Sequence, residues 1–332
     1  MLQVVPATKP SRDVKETVHR FFRKLTIPRG VKQPTIYDMG LGKELPQDLK
    51  GKIVWEPLGH IGEGGGGKVY RGKCKLGRGN KVWVAIKFLE MRAGSNMDIK
   101  IVQYLHRETL VWRDLKHPNI LPLLGICSDL NNPTTRVPAL ISPYCPHGNL
   151  REYLERHPDV PRLPLAHQVV SAIHYIHAKD IIHGDIKPDN ILINEEGRPL
   201  LSDFGRSRII GVDGFETTLT SSQHYTAPEL LNYEEDIVPL TKPSDIFSLS
   251  VTLLRVITDR DPFHPRRGPI LGNLFREGKK PTLEVYLDHP LMSLGLWDLL
   301  DKGWSYDPAK RQNADEVMEA LEALPVTPSV IE

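Results

Sequence analysis

The chain has 332 residues, 40% of them hydrophobic, enough to bury one large core or two modest ones. Its 43 basic and 41 acidic residues leave a net charge of +2, which argues against a nucleic-acid binder driven by bulk charge. Three cysteines, Cys74, Cys127 and Cys145, are too few and too scattered for a disulfide framework or a zinc site, and fit a reducing compartment.

In chain order, residues 1–50 read as an extension. Val14, Val18, Phe21, Phe22 and Leu25 fall on helical spacing, with Arg20, Arg23 and Lys24 on the other side. Asp13 and Glu16 are unusual in a targeting peptide, so helix 14–25 is expected to dock on the following domain rather than on a membrane. Residues 26–50, rich in Pro, Gly and Lys, read as a linker. Strands are expected over 52–58, 68–74 and 81–89, and a helix over 97–115. From Asn149 onward the texture is helical, clearest over 165–178, 243–258 and 314–324. The apolar run Leu249–Ile257 is too short for the ~20 residues that span a bilayer, and it contains Arg255. No secretory signal is evident at the N-terminus. Strands segregated from helices predict an α+β fold with a small β-rich lobe over 51–141, a larger α-rich lobe over 149–325 and a tail over 326–332. Clefts between such lobes are a preferred place for ligands.

The glycine run Gly62-Glu63-Gly64-Gly65-Gly66-Gly67 is followed by Lys68 and Val69 in a strand, not by a helix. It therefore reads as a strand-turn-strand flap whose backbone N–H groups can approach phosphates, and a dinucleotide-binding turn is disfavoured. Lys87, in Val84-Ala85-Ile86-Lys87, lies about 20 residues on, and Glu108 on the next helix is placed to pair with it. Within Ile182-His183-Gly184-Asp185-Ile186-Lys187-Pro188-Asp189-Asn190 and Asp203-Phe204-Gly205 stand a candidate base, a phosphate-binding lysine and two oxygen ligands for a divalent metal. Phosphoryl transfer asks for that combination, because its chemistry is mostly positioning and charge neutralisation.

With Ala227-Pro228-Glu229 these motifs make the chain resemble the eukaryotic protein kinase superfamily from about Ile61 to Leu324, with a serine/threonine-type catalytic loop and the flavour of the tyrosine-kinase-like branch. The resemblance implies the two-lobed protein kinase fold and the use of ATP with Mg²⁺ (or Mn²⁺) to phosphorylate serine or threonine hydroxyls of protein substrates. On it, Asp185 is the base, Lys187 a cation for the transferring phosphoryl group, and Asn190 and Asp203 the metal ligands. Ile61 is expected at the nucleotide, Gly62, Gly64, Gly67 and Lys87 at its phosphates, and Val69, Ala85 and Leu192 around the base. Residues 142–148 form the hinge, with Ser142 behind the adenine, the Pro143 carbonyl and the Cys145 N–H pairing with it. Glu229 and Arg311 make a structural ion pair, and Asp245 anchors the catalytic loop.

Two departures from the family stand out. Gly184 replaces the arginine that often precedes the catalytic aspartate, so a phosphate on Thr217, Thr218, Thr220 or Ser221 loses its main cationic partner and basal activity is expected without it. Gly66 replaces an aromatic at the flap tip, which raises the entropy of ordering the flap and predicts weakened nucleotide affinity. A pseudokinase scaffold and a small-molecule phosphotransferase of the aminoglycoside or choline kinase kind are the competing readings; the filled catalytic positions disfavour the first, and Lys187, Asp203–Gly205 and Ala227–Glu229 the second. A cytoplasmic location is expected, with no sequence feature against nuclear entry. Nucleic acid is not an expected partner, and the oligomeric state is not legible.

Overall fold

The computed structural model describes residues 46–64, 67–76, 80–90, 97–130, 137–210, 223–231, 239–266 and 270–324. The expected helix 14–25, the flap tip with Gly66, the hydroxyls from Thr217 to Ser221 and the tail 326–332 lie outside these residues. Among the described residues two compact units form, one from 46–114, 122–143 and 207–210, the other from 115–121, 144–206 and 223–324.

The first unit is built on a five-stranded antiparallel sheet in the order β1-β2-β3-β5-β4, with β1 at Ile53–Gly64, β2 at Gly67–Leu76, β3 at Asn80–Leu89, β4 at Gly125–Cys127 and β5 at Ala139–Pro143. Alternation decides which side is buried. Val84, Ile86 and Phe88 of β3 turn to one face and meet Cys74, Cys127, Ala139 and Ile141. Trp55, Tyr70 and Phe88 add a ring cluster, with centroids 5.0–5.6 Å apart. Strand β1 runs six residues past its expected end, with register shifts between Trp55 and Gly62, because irregular pairing lets it follow β2 up to the flap.

The end of the stretch read as linker is docked. Leu49 is buried in the sheet core, its N–H donates to the Ile126 carbonyl, and the Ile126 N–H donates to Gln47. One leucine at the right place is enough to seat a segment whose composition reads as loop.

Helix α1, Met97–Trp112, buries Ile101, Leu105, Glu108 and Trp112, four positions on one helical stripe. It stops three residues short of the expected Leu115, well before His117-Pro118.

The second unit is mainly helical: α2 at Leu150–Arg156, α3 at Arg162–Ala178, α4 at Lys242–Thr258, α5 at Ile270–Arg276, α6 at Leu294–Gly303 and α7 at Ala314–Glu322. Short strands β6 (Ile181–Ile182), β7 (Ile191–Ile193) and β8 (Pro199–Leu201) lie between α3 and α4, with β7 and β8 paired, and β9 (Arg208–Ile209) follows in the first unit. Helix α4 is buried along most of its length, its polar Ser244, Asp245, Ser250, Thr252 and Thr258 included, and packs against α3 and α6. It starts at a capping box, in which the Thr241 hydroxyl accepts from the Ser244 N–H and Ser244 returns the bond. Asn313 and Glu316 repeat that device on α7. Among the described residues no helix is long and apolar enough to cross a membrane.

Candidate active site

In the first unit, strand alternation turns Lys87 to the face opposite Ile86, where it stands across from Val69 of β2 and Leu140 of β5. Its ammonium meets the Glu108 carboxylate of α1 at 2.8 Å. Glu108 is wholly buried and Lys87 partly so, which makes the ammonium the counter-charge that the buried carboxylate requires. Ala85 pairs with Ser142 and Val84 with Pro143, so the expected adenine-pocket residues of β3 and β5 are neighbours in register. Ser142 is buried, whereas Ile61 is exposed and Val69 and Ala85 are half-buried. At the flap, Gly62 faces Val69 and Gly64 faces Gly67. Gly67 holds φ at +137°, and a Cβ there would fall on the Phe88 carbonyl oxygen, so no other residue fits.

In the second unit the catalytic loop is hung from α4. Asp245, in the first turn of that helix, accepts the N–H of His183 at 2.7 Å and of Gly184 at 2.8 Å, and its carboxylate lies 3.0 Å from His177 Nε2. A carboxylate in a helix's first turn also meets the positive end of its dipole. The Asp185 N–H donates to His183 Nδ1, so the imidazole proton sits on Nε2, which donates to the Ser202 carbonyl at 3.0 Å. His183 is fully buried against the edge of Phe204, ring centroids 5.3 Å apart.

The loop places its charges tightly. Lys187 Nζ lies 2.8 Å from Asp185 Oδ2; Asn190 Nδ2 donates to that same oxygen at 2.8 Å and to the Asp185 carbonyl at 2.7 Å. Gly184 holds φ at +78°, which strains any residue with a Cβ, and a Cβ there would press on Leu240 Cδ1 and lie 3.2 Å from the Arg206 carbonyl oxygen. The Asn190 carbonyl accepts both the N–H and the hydroxyl of Ser202, at 2.9 and 2.8 Å, which fixes Asp203 beside the loop. Asp203 itself sits at φ +63°, an uncommon conformation for a residue with a Cβ, and one that a functional position often requires.

Sequence reasoning missed three features of this half. Arg206 follows the Asp203–Gly205 triplet and brings its guanidinium within 3.8 Å of Asp185 Oδ1, with all three nitrogens buried and none hydrogen-bonded. Arg151 of α2 grips Asp189 through two bonds of 3.2 and 2.9 Å and reaches the Tyr225 hydroxyl at 3.3 Å. Burial alone would raise the Asp189 carboxyl, but Arg151 outweighs it and holds the group below its ordinary range. His177 joins the Asp245 cluster. Single charged residues carry no periodic signal, so nothing in the sequence marks these three. Leu192 sits in β7, bridged to Asn149, and Cys145 is buried, its thiol pushed up to about 12 by desolvation. Farther off, Arg311 meets Glu229 through two bonds of 2.7 Å and also donates to the Ser305 and Pro243 carbonyls.

The donor set fits a hard divalent cation. Both side-chain bonds of Asn190 use its amide nitrogen, which leaves the amide oxygen as its coordinating atom, and Asp203 adds a carboxylate. No cluster of three His, Cys, Asp or Glu ligands occurs among the described residues.

Residues 55–321 match the model of the protein kinase domain. Similar curated proteins include serine/threonine-protein kinase STY46 of Arabidopsis thaliana, 26% identical over 86% of this chain and 48% of that protein. Probable serine/threonine-protein kinase drkC of Dictyostelium discoideum is 30% identical over 77% of this chain and 34% of its own length. Serine/threonine-protein kinase TNNI3K of Homo sapiens is 29% identical over 79% and 30%. The chain thus spans half or less of the length of these relatives.

Proposed function

Because the chain belongs to the protein kinase domain family, we propose that it transfers the γ-phosphoryl group of ATP to serine or threonine hydroxyls of proteins. The observation that carries this reading is the Asp185 cluster. Lys187 and Asn190 both bond Oδ2, which leaves Oδ1, 3.8 Å from the Arg206 guanidinium and beyond hydrogen-bond reach of it, to meet an acceptor hydroxyl whose proton it would take or orient as the hydroxyl attacks. Lys187 is close enough to neutralise charge building on the transferring group. Asn190 and Asp203 would hold Mg²⁺ or Mn²⁺, which when bound neutralises the phosphate oxygens. Lys87, steadied by Glu108, and the backbone of Ile61, Gly62, Gly64 and Gly67 would receive the nucleotide phosphates. The Pro143 carbonyl and the Cys145 N–H would pair with adenine, which Val69, Ala85 and Leu192 would flank; proline's missing N–H costs nothing where only a carbonyl is needed.

Support for serine or threonine as acceptor comes from Lys187, two residues past the catalytic aspartate, and from the serine/threonine kinases among the similar proteins. The test is phosphoamino-acid analysis of a generic basic protein incubated with the enzyme and γ-labelled Mg·ATP. Phosphoserine or phosphothreonine supports the reading; phosphotyrosine alone overturns the acceptor class.

A further inference from the structure

One face of the small sheet is the core. The other, over β2 and β3, is strongly charged. Neither strand contains an acidic residue: β2 reads GKVYRGKCKL and β3 reads NKVWVAIKFL. Alternation sends Tyr70, Gly72 and Cys74 toward the core and Arg71, Lys73 and Lys75 to the opposite face. The register sets Lys73 directly across from Trp83 on β3 and from Val54 on β1, and Lys75 across from Lys81. Arg71, Lys75 and Lys81 are exposed, as are Trp83 at 48% and Val54 at 50%.

Two cations thus sit against one exposed tryptophan, and Lys75 and Lys81 pair farther along the same face. The Arg71 guanidinium lies 4.5 Å and the Lys73 ammonium 4.3 Å from the centre of the Trp83 ring. These contacts hold the two cations in place, so less side-chain entropy is lost when a ligand meets this face.

We propose that this face docks an extended acidic peptide from a partner protein. From Arg71 to Lys75 the patch runs about 14 Å, the span of four to five extended residues, and Lys81 and Trp83 on β3 and Val54 on β1 flank that line. The chain's own termini do not fit it: residues 1–45 carry nine basic against four acidic residues and are repelled, and residues 325–332 hold a single carboxylate side chain, Glu332. A nucleic acid fits less well than a peptide. A base stacking on Trp83 must displace a cation already seated against the ring, whereas carboxylates reach the same cations from outside.

The test uses the full chain and a fluorescein-labelled decaglutamate, read by anisotropy near physiological salt, with a fluorescein-labelled thymidine decanucleotide beside it. Decaglutamate is expected to bind saturably and more tightly than the oligonucleotide. The double variant Lys75→Glu/Lys81→Glu is expected to weaken it about tenfold, the sum of several surface charge pairs, with no change in melting temperature. Should that variant unfold, Lys81→Gln replaces it, with a loss of about twofold to threefold expected. Absent saturable binding, equal affinity in the variants, or preference for the oligonucleotide overturns the proposal. None of these readouts depends on catalysis, so they stand apart from the test of the kinase reading.

Discussion

At Asp185 the two carboxylate oxygens are treated unequally. Oδ2 is held by Lys187 and Asn190 through hydrogen bonds, while Oδ1 faces the Arg206 guanidinium at a distance too long for one. Arg206 bears a desolvation cost with no hydrogen bond to offset it, and Asp185 keeps Lys187 when Arg206 is gone. Arg206→Met is therefore expected to leave the melting temperature unchanged or raise it by about 1–3 °C in a thermal-shift assay. A fall of more than about 3 °C would mean that the ion pair is a net stabiliser. Lys87, Asp185, Asn190 and Asp203 stand out in the sequence because they recur at set spacing inside motifs. Arg206 and the Arg151–Asp189 pair depend on how the chain folds back on itself, and no local pattern announces them.

Among the elements, α1 carries a titrating group in its interior. Desolvation, aided by the nearby charge of Arg113, lowers His106 to about 4 from an unfolded value near 6.5. Between those values the unfolded chain binds the proton and the folded one does not, so stability is full above about pH 6.5 and declines as pH falls to about 4. The loss is of order 3 kcal/mol, and His106→Gln should remove that part of the slope in denaturant titrations from pH 7 to 4. An identical slope in the variant would show that His106 is not buried neutral.

The Glu229–Arg311 pair works between elements: a guanidinium with no exposed side-chain surface ties Glu229, in the turn following Ala227, to the segment that precedes α7. Arg311→Ala should cost roughly 3–5 kcal/mol and lower the melting temperature by roughly 10 °C, because Glu229 is left mostly buried without its cation. A shift below about 3 °C would contradict that. The long elements were legible from periodicity, with ends unchanged or moved by at most six residues. Helices α2 and α5 were not, since seven residues offer too few turns for a 3.6-residue pattern to separate from loop; α6 was missed as well, although the nine-residue α7 was legible.

On the scale of the whole molecule, fold class and family were readable because the motifs span most of the chain, and the protein kinase domain model covers residues 55–321. Docking of Leu49 was hidden, because one apolar residue in a polar stretch carries no pattern. Gly184 has a consequence at this scale. With Leu240 filling the space beside it, no arginine stands there to read a phosphate elsewhere in the chain, so phosphatase treatment is expected to leave at least half of the basal activity. Loss of nearly all activity would show that another cation does that work.

The most direct measurement is label transfer from γ-labelled Mg·ATP to a basic protein, wild type against Asp185→Asn, with melting temperature and nucleotide binding followed in both. Transfer should fall by about 10²- to 10⁴-fold in the variant while fold and nucleotide binding persist. A folded, nucleotide-binding wild type that transfers no more label than the variant would contradict the account.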